Sequence, residues 1–409
     1  MLLRARFVYP VSAPLIEDGF VRMAAGRIVE VGEWSKCADQ AGAEELGDVI
    51  LLPGFVNAHC HLDYTDFAGE IPSPVSFAQW LRAMVALKAK VEDSAHCKSW
   101  LRGAWQAVSH GITTLGNIET RRSCLMELWA ATPLRMVSFM EIILLKAESD
   151  AVQAVKELKE WLALNSPPRG KAGVSPHAPY TTKQDLLQEC ARLSDMMMAM
   201  HVAESSEEDE MFRHGKGPLW QMLKTAGRNM DDCVGSSPLK GVKVAGLLND
   251  RMLLVHGNYL DSPDVAQIAA SRASVVHCPR SHEYFGHRSF PLKDLRKAGV
   301  NLCLGTDSLA TMSDAHAQVE LFSEIQRFDP QNEDIADEDL IEMVTVNAAR
   351  ALGMHGEVGC LQPGAFADLF TLPYSGEANG VKKAIVGHKG PVEAVMIDGQ
   401  WVDEYKEAA

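Results

Sequence analysis

Short apolar runs of about five residues recur through the middle of the chain, separated by stretches in which apolar positions return every three or four residues. The first pattern is that of buried strands and the second that of helices packing one face, so their alternation predicts parallel βα units. Eight such runs end near Asn57, Asn117, Glu141, Ser175, Val202, His256, His277 and Gly305. The intervening helices include residues 151–164, where Val152, Val155, Leu158 and Leu162 form one apolar stripe, and residues 315–328. Eight units predict an α/β fold, a closed (β/α)8 TIM barrel, with its chemistry at the C-terminal ends of the strands.

The two ends of the chain have another texture. Residues 19–23, 26–32 and 48–52, and then 367–372, 392–397 and 400–403, read as short strands bounded by glycines, with Asp398-Gly399 as a hairpin signal. Paired, these ends predict a small β-sandwich domain of residues 1–52 and 364–409, beside a barrel of residues 53–363. No solenoid repeat, heptad seam or low-complexity tract interrupts this plan.

Composition narrows the partners. A net charge of -15 opposes binding to a nucleic acid or an anionic membrane surface and leaves a small molecule in a shaped pocket as the expected partner. No run reaches the roughly 18 apolar residues of a spanning helix, and the first ten residues lack the apolar core of a secretory signal. Nine scattered cysteines suit a reducing compartment better than a disulfide scaffold, so the cytoplasm is the expected location. A homodimer is compatible with the chain, although no interface is legible. The methionines of Met196 to Met200 read as packing for an inner strand, and the acidic run from Glu204 to Glu210 as a solvated loop and helix start, Glu204 excepted.

The strand ends carry the chemistry. His59 and His61 close the first barrel run two positions apart, which in a strand puts both imidazoles on one side. His201, His256 and Asp307 stand at three later strand ends. Any one of these histidines alone would more often be structural, but five ligand-type residues at the ends of one barrel's strands point to a metal. Nitrogen and oxygen donors without a nearby thiolate suit zinc, and also iron or manganese. Residues 172–179 offer no lysine to bridge two ions, which favours a single divalent ion.

Seven stretches along nearly the whole chain resemble the amidohydrolase superfamily, in its cytosine-deaminase-like and chlorohydrolase branch. They are LPGFVNAHCH at 52–61, SPHAPYT at 175–181, HVAES at 201–205, LVHG at 254–257, LGTDS at 304–308, TVNAARALG at 345–353 and PGAFADL at 363–369. The resemblance implies that His59, His61, His201 and Asp307 are the metal ligands. It further implies that His256 steadies the activated water and the developing oxyanion, and that Glu204 shuttles protons, with Asp307 taking the water's proton. The implied reaction is hydrolytic deamination, in which a metal-activated hydroxide attacks an amino-bearing carbon of a heteroaromatic ring and ammonia is released.

For the substrate, His177 matches a position that contacts the substrate in nucleoside deaminases of the superfamily, the alternative being a buried histidine bonded to a strand-end carbonyl. Trp80 suits either a cover for a flat ring or a helix core, and Ser308 stands beside Asp307. Residues 87–91 lack the glutamate that adenosine-type members present to ribose. Arg280, His282 and His287 are expected to form a polar wall for a carboxylate or ring carbonyl, or else a loop packed by its own contacts. Residues 57–63, 77–81 and 139–142 are similar to aminodeoxyfutalosine deaminases, which act on an adenine nucleoside carrying a benzoate; Arg280 would then meet the carboxylate and Glu141 a hydroxyl or ring edge. The alternatives are a hydrolase of a cyclic amide or of a chlorinated or alkylamino triazine, and a non-catalytic binding protein on the same barrel.

Overall fold

The computed structural model describes residues 1–73, 76–146, 148–328 and 335–402. All eight expected barrel strands are present as one parallel sheet, paired in sequence order: β6 (Phe55–Cys60), β7 (Ile112–Glu119), β8 (Arg135–Ile142), β9 (Gly170–Pro176), β10 (Met198–Val202), β11 (Met252–His256), β12 (Ser274–His277) and β13 (Leu302–Leu304). Strand numbers start at β6 because five strands precede it. The last strand returns to the first, since the amides of Thr306 and Asp307 both donate to the His59 carbonyl, at 3.0 and 3.2 Å. Only a glycine fits at that seam: a Cβ on Gly305 would lie 2.8 Å from the same carbonyl.

Side chains sort by strand face. Val56, Ala58, Val137, Phe139, Ala199, Leu253, Val255 and Val276 share one buried cluster with Ala348 and Ala349 of the helix Val346–Ala351 and with Leu352 just after it. The opposite faces join a larger cluster with the surrounding helices. Full burial of a ring such as Phe139 is worth about 1.5–3 kcal/mol, so the pattern that specifies the strands also holds them.

The chain ends form a second sheet. β1 (Leu2–Val8), β2 (Ile16–Ala24), β3 (Arg27–Glu33), β4 (Glu44–Glu45) and β5 (Val49–Pro53) join β14 (Leu369–Pro373), β15 (Ala394–Ile397) and β16 (Gln400–Trp401) in the order β16-β15-β14-β5-β1-β2-β3, with β4 also on β1. This sheet is fastened to the barrel through Arg135 at the start of β8. The guanidinium is buried, pairs with Asp368 at 2.9 Å and with Asp398, and lies 3.4 Å from the centre of the Phe366 ring.

Several expectations need correcting. β1 was not foreseen, although Arg4 and Arg6 alternate with buried Leu3, Ala5 and Phe7. The helix Ala151–Leu164 is as expected, but its buried side is Ala151, Val155, Leu158 and Leu162, while Val152 faces solvent. The helix expected over 315–328 begins only at Phe322, after a turn of three residues, Leu309–Thr311, and irregular chain. Asp403 of the last expected strand lies outside the described residues. Cys97 and Cys124 are bonded, a pairing their spacing did not announce, and the other seven cysteines are free and buried. Among the described residues no helix is long and apolar enough to cross a membrane.

Candidate active site

The strand ends converge at one mouth of the barrel. β6 brings His59 and, just beyond its end, His61; β10 brings His201; β11 ends on His256; Asp307 follows β13. The register of β6 on β7 gains a residue between Asn57 and Cys60, around His59, and such bulges re-aim side chains. Asn57 braces the seam, accepting from the His59 and Thr306 amides and donating to the Thr306 hydroxyl at 2.8 Å.

The geometry is tight. One ligand atom from each of His59, His201, His256 and Asp307 lies within 4.8 Å of the others. His61 is a fifth member, with Nε2 3.3 Å from His201 Nε2 and 3.7 Å from Asp307 Oδ1. His201 Nδ1 donates to the His177 carbonyl at 2.9 Å, which turns its other nitrogen inward as a lone pair. Both ring nitrogens of His59, Nδ1 of His61 and Nε2 of His256 are buried without a hydrogen-bond partner. Leaving such an atom unpaired costs about 1–3 kcal/mol, and a cation at the centre of the cluster would engage one nitrogen of each ring that faces it, so the residues present fit a divalent ion.

Electrostatics agree with this fit. Burial, reinforced by the neighbouring imidazoles, holds His61 and His201 well below the usual histidine range, in the neutral form that ligates metals. Burial would raise Asp307, but the His59 imidazole, with Nε2 3.4 Å from Oδ1, and the other histidines around it outweigh this and hold it well below the usual carboxylate range. Glu204 moves the other way. Its carboxyl is buried beside His256, 3.5 Å from Nε2, and burial together with Asp307 and Glu208 raises it well above the carboxylate range.

Backbone strain is concentrated here. Ala203, His256 and Asp307 have φ of +53°, +73° and +54°, left-handed values costing a non-glycine residue about 1–3 kcal/mol each. The turn at Ala203 separates Glu204 from β10, and the Glu204 carbonyl is held by Asn258 at 3.0 Å.

A cavity of about 600 Å³ opens in front of the cluster. His61, His201, His256, Asp307 and Glu204 form its floor, with His177, Glu141, Ser308 and Trp80 on the walls. His177 Nε2 stands 4.0 Å from Glu141, and its Nδ1 bonds the Thr181 hydroxyl at 2.7 Å. Burial, then the nearby Lys88, lowers His177 to about 3. Polar lining residues that the sequence reading did not single out include Tyr64, Arg82 and Lys88. Tyr64 stacks on His61, and Arg82 and Lys88 come from α1 (Phe77–Lys88). The sequence held a clue only for Lys88, which lies in the stretch that lacks the ribose glutamate.

The expected polar wall is corrected. Arg280 does not line this cavity; its guanidinium bonds buried Glu324 at 2.5 Å and the carbonyls of Gln318 and Glu320. A buried guanidinium needs a carboxylate, and the chain supplies its own. His282 is likewise outside the lining, bonded to Asn258 at 3.0 Å and packed on His277 and His287.

A buried imidazole and carboxylate cluster at the C-terminal mouth of a parallel barrel, with a carboxyl beside it and a cavity before it, is the arrangement of a barrel enzyme with a candidate site for a divalent ion. Residues 50–402 match the amidohydrolase family, and the chain belongs to that family, hydrolases of carbon–nitrogen bonds other than peptide bonds. The chain is 30% identical to a 5-methylthioadenosine/S-adenosylhomocysteine deaminase of Symbiobacterium thermophilum, over 96% of this chain and 90% of that one. Its fold is that of an adenosine deaminase from Xanthomonas campestris with bound zinc (TM-score 0.84, 23% identity, 98% and 92% of the two chains). It is also that of the Helicobacter pylori aminofutalosine deaminase in complex with methylthio-coformycin (TM-score 0.86, 20% identity, 98% and 100%).

Proposed function

We propose that this protein is a hydrolytic deaminase of an aminated heteroaromatic ring of the adenine nucleoside kind, using one divalent ion, zinc first among the candidates, in the cytoplasm. The carrying observation is Glu204, a buried carboxyl 3.5 Å from His256, beside the histidine cluster and facing the cavity. Hydrolysis of an ordinary amide has no ring nitrogen to protonate, whereas deamination of an aromatic ring does.

In this reading His59, His61, His201 and Asp307 hold the ion. When bound, such an ion lowers the pKa of water to about 7 and so supplies a nucleophile at neutral pH. Glu204 gives its proton to the ring nitrogen adjoining the amino-bearing carbon, so that negative charge does not build up on the ring. His256, neutral and 3.5 Å from Glu204, offers a hydrogen bond to the oxygen arriving at that carbon. Asp307 takes the proton of the attacking water, and its passage to the amine lets ammonia leave. Trp80, His177 and Ser308 position the ring. The relatives' substrates, methylthioadenosine, S-adenosylhomocysteine and aminofutalosine, are the first to try.

The test is metal analysis of purified protein, followed by an ammonia-release screen on aminated purines, pyrimidines, pterins and triazines. About one ion per chain with ammonia release supports the reading. Metal without ammonia overturns it in favour of amide hydrolysis, dechlorination or binding alone.

A further inference from the structure

The acidic run after His201 is not solvated where it meets the barrel mouth. Glu207 and Glu208 stand in the first turn of the helix Ser206–His214 and reach in two directions. Glu208, fully buried, accepts the Glu204 amide at 2.7 Å and so fixes the loop that carries the proposed proton shuttle. Glu207 leaves its own segment altogether. Its two carboxylate oxygens accept the amides of Phe77 and Ala78, at 2.7 and 3.1 Å, 130 and 129 positions earlier in the chain.

Those two amides are the first of α1, the helix that walls the cavity. A helix start leaves its leading N–H groups without partners inside the helix. Here the Ser76 hydroxyl accepts from Gln79 and Glu207 takes the two amides before it, so the turn is satisfied by one side chain of its own segment and one from across the mouth. A carboxylate at this end also meets the positive pole of the helix. The buried contacts of α1 gather at the same end: Phe77 and Ala78 are buried, beyond them only Met84 is, and Val85 is 66% exposed. A helix of this length is marginal in water without such support. Trp80 sits within one turn of the Glu207 bonds, its ring stacked on Phe77 with 6.0 Å between centres.

We infer that Glu207 is a positioning residue for the proposed reaction: by gripping the start of α1 it sets where Trp80 stands relative to Glu204, so that one turn of one helix holds both the wall for the substrate ring and the proton shuttle. This rests on the deaminase reading and adds to it a residue that is not among those lining the cavity. A shift of about 1 Å in a group that orients the substrate can cost on the order of 10²-fold.

The test is Glu207→Ala on metal-loaded protein, with methylthioadenosine as the probe. KM is expected to rise about 10- to 100-fold, the worth of hydrogen bonds to a charged group, with kcat and metal content within about threefold of wild type. In a Trp80→Ala background the same change should move KM by less than about threefold, because the ring it positions is gone. Glu207→Gln, which keeps one acceptor oxygen and loses the charge, should fall between wild type and Glu207→Ala. KM at the wild-type level, an equal rise with and without Trp80, or loss of the metal overturns the inference and leaves the deaminase reading intact. If wild type releases no ammonia from any aminated nucleoside, the deaminase reading fails, and amide hydrogen exchange still decides the grip. Residues 77–80 should exchange at least about tenfold faster in Glu207→Ala, or in Glu207→Gln if the alanine variant does not fold, with β10 unchanged. Wild-type rates, or acceleration that reaches β10, overturn it.

Discussion

Replacing Glu204 by glutamine changes one function of the side chain and little else. The carbonyl of residue 204 keeps its bond from Asn258, and its amide keeps the Glu208 carboxylate at 2.7 Å. Glutamine nearly preserves the shape, and the five residues whose ligand atoms gather around the cluster are untouched. What disappears is the ionisable carboxyl, which burial and the neighbouring Asp307 and Glu208 raise above the usual carboxylate range. Acid–base assistance of this kind is worth about 10²- to 10⁴-fold, or about 2.7–5.5 kcal/mol of barrier. Glu204→Gln is therefore expected to lose that factor in kcat, with KM changed only a few-fold and metal content at the wild-type level. The assay is coupled ammonia detection on metal-loaded protein, with metal analysis of the same sample. Turnover within a few-fold of wild type would refute the proton role, and loss of metal in step with activity would show that Glu204 belongs to the ligand set.

Asp307→Ala removes the one carboxylate that approaches both His59 and His61, so metal content should fall below about a tenth of wild type, measured after dialysis; full retention would remove Asp307 from the ligands. Arg135→Met strands Asp368 as a buried, unpaired carboxylate and should cost about 3–5 kcal/mol in urea unfolding; a loss below 1 kcal/mol would mean the two domains are not fastened there. Glu208 supplies a pH test. Burial raises its carboxyl from 4.5 to about 8, so between those values the unfolded chain binds fewer protons than the folded one, and stability falls as pH rises through that window. Glu208→Gln should flatten this decline in melting temperature, and an unaltered slope would assign it to other buried acids.

The barrel and the histidines at its mouth were legible because both follow from short-range pattern. An apolar run ending in a histidine states its own strand end, and His59, His201 and His256 each do so. β1 is equally legible, as Arg4 and Arg6 alternate with the buried Leu3, Ala5 and Phe7. The wall residues were not legible. Whether Arg280 or Lys88 faces the cavity depends on how a helix is rotated after its strand. That rotation is set by distant partners, buried Glu324 for Arg280 and the Tyr64 ring for Lys88. The left-handed backbone at His256 and Asp307 has no sequence signal either, because neither residue type requires it.

The seam between β6 and β13 has a consequence in time. Asn57 and Thr306, which clasp it, are 249 positions apart, so His59 leaves the ribosome long before its last partner exists. At 5–20 residues per second the wait is roughly 10–50 s. Until that interval ends the barrel cannot close, and the histidines of β6 and Asp307 meet only when the last strand has been made, so the cluster at the mouth is completed together with the ring.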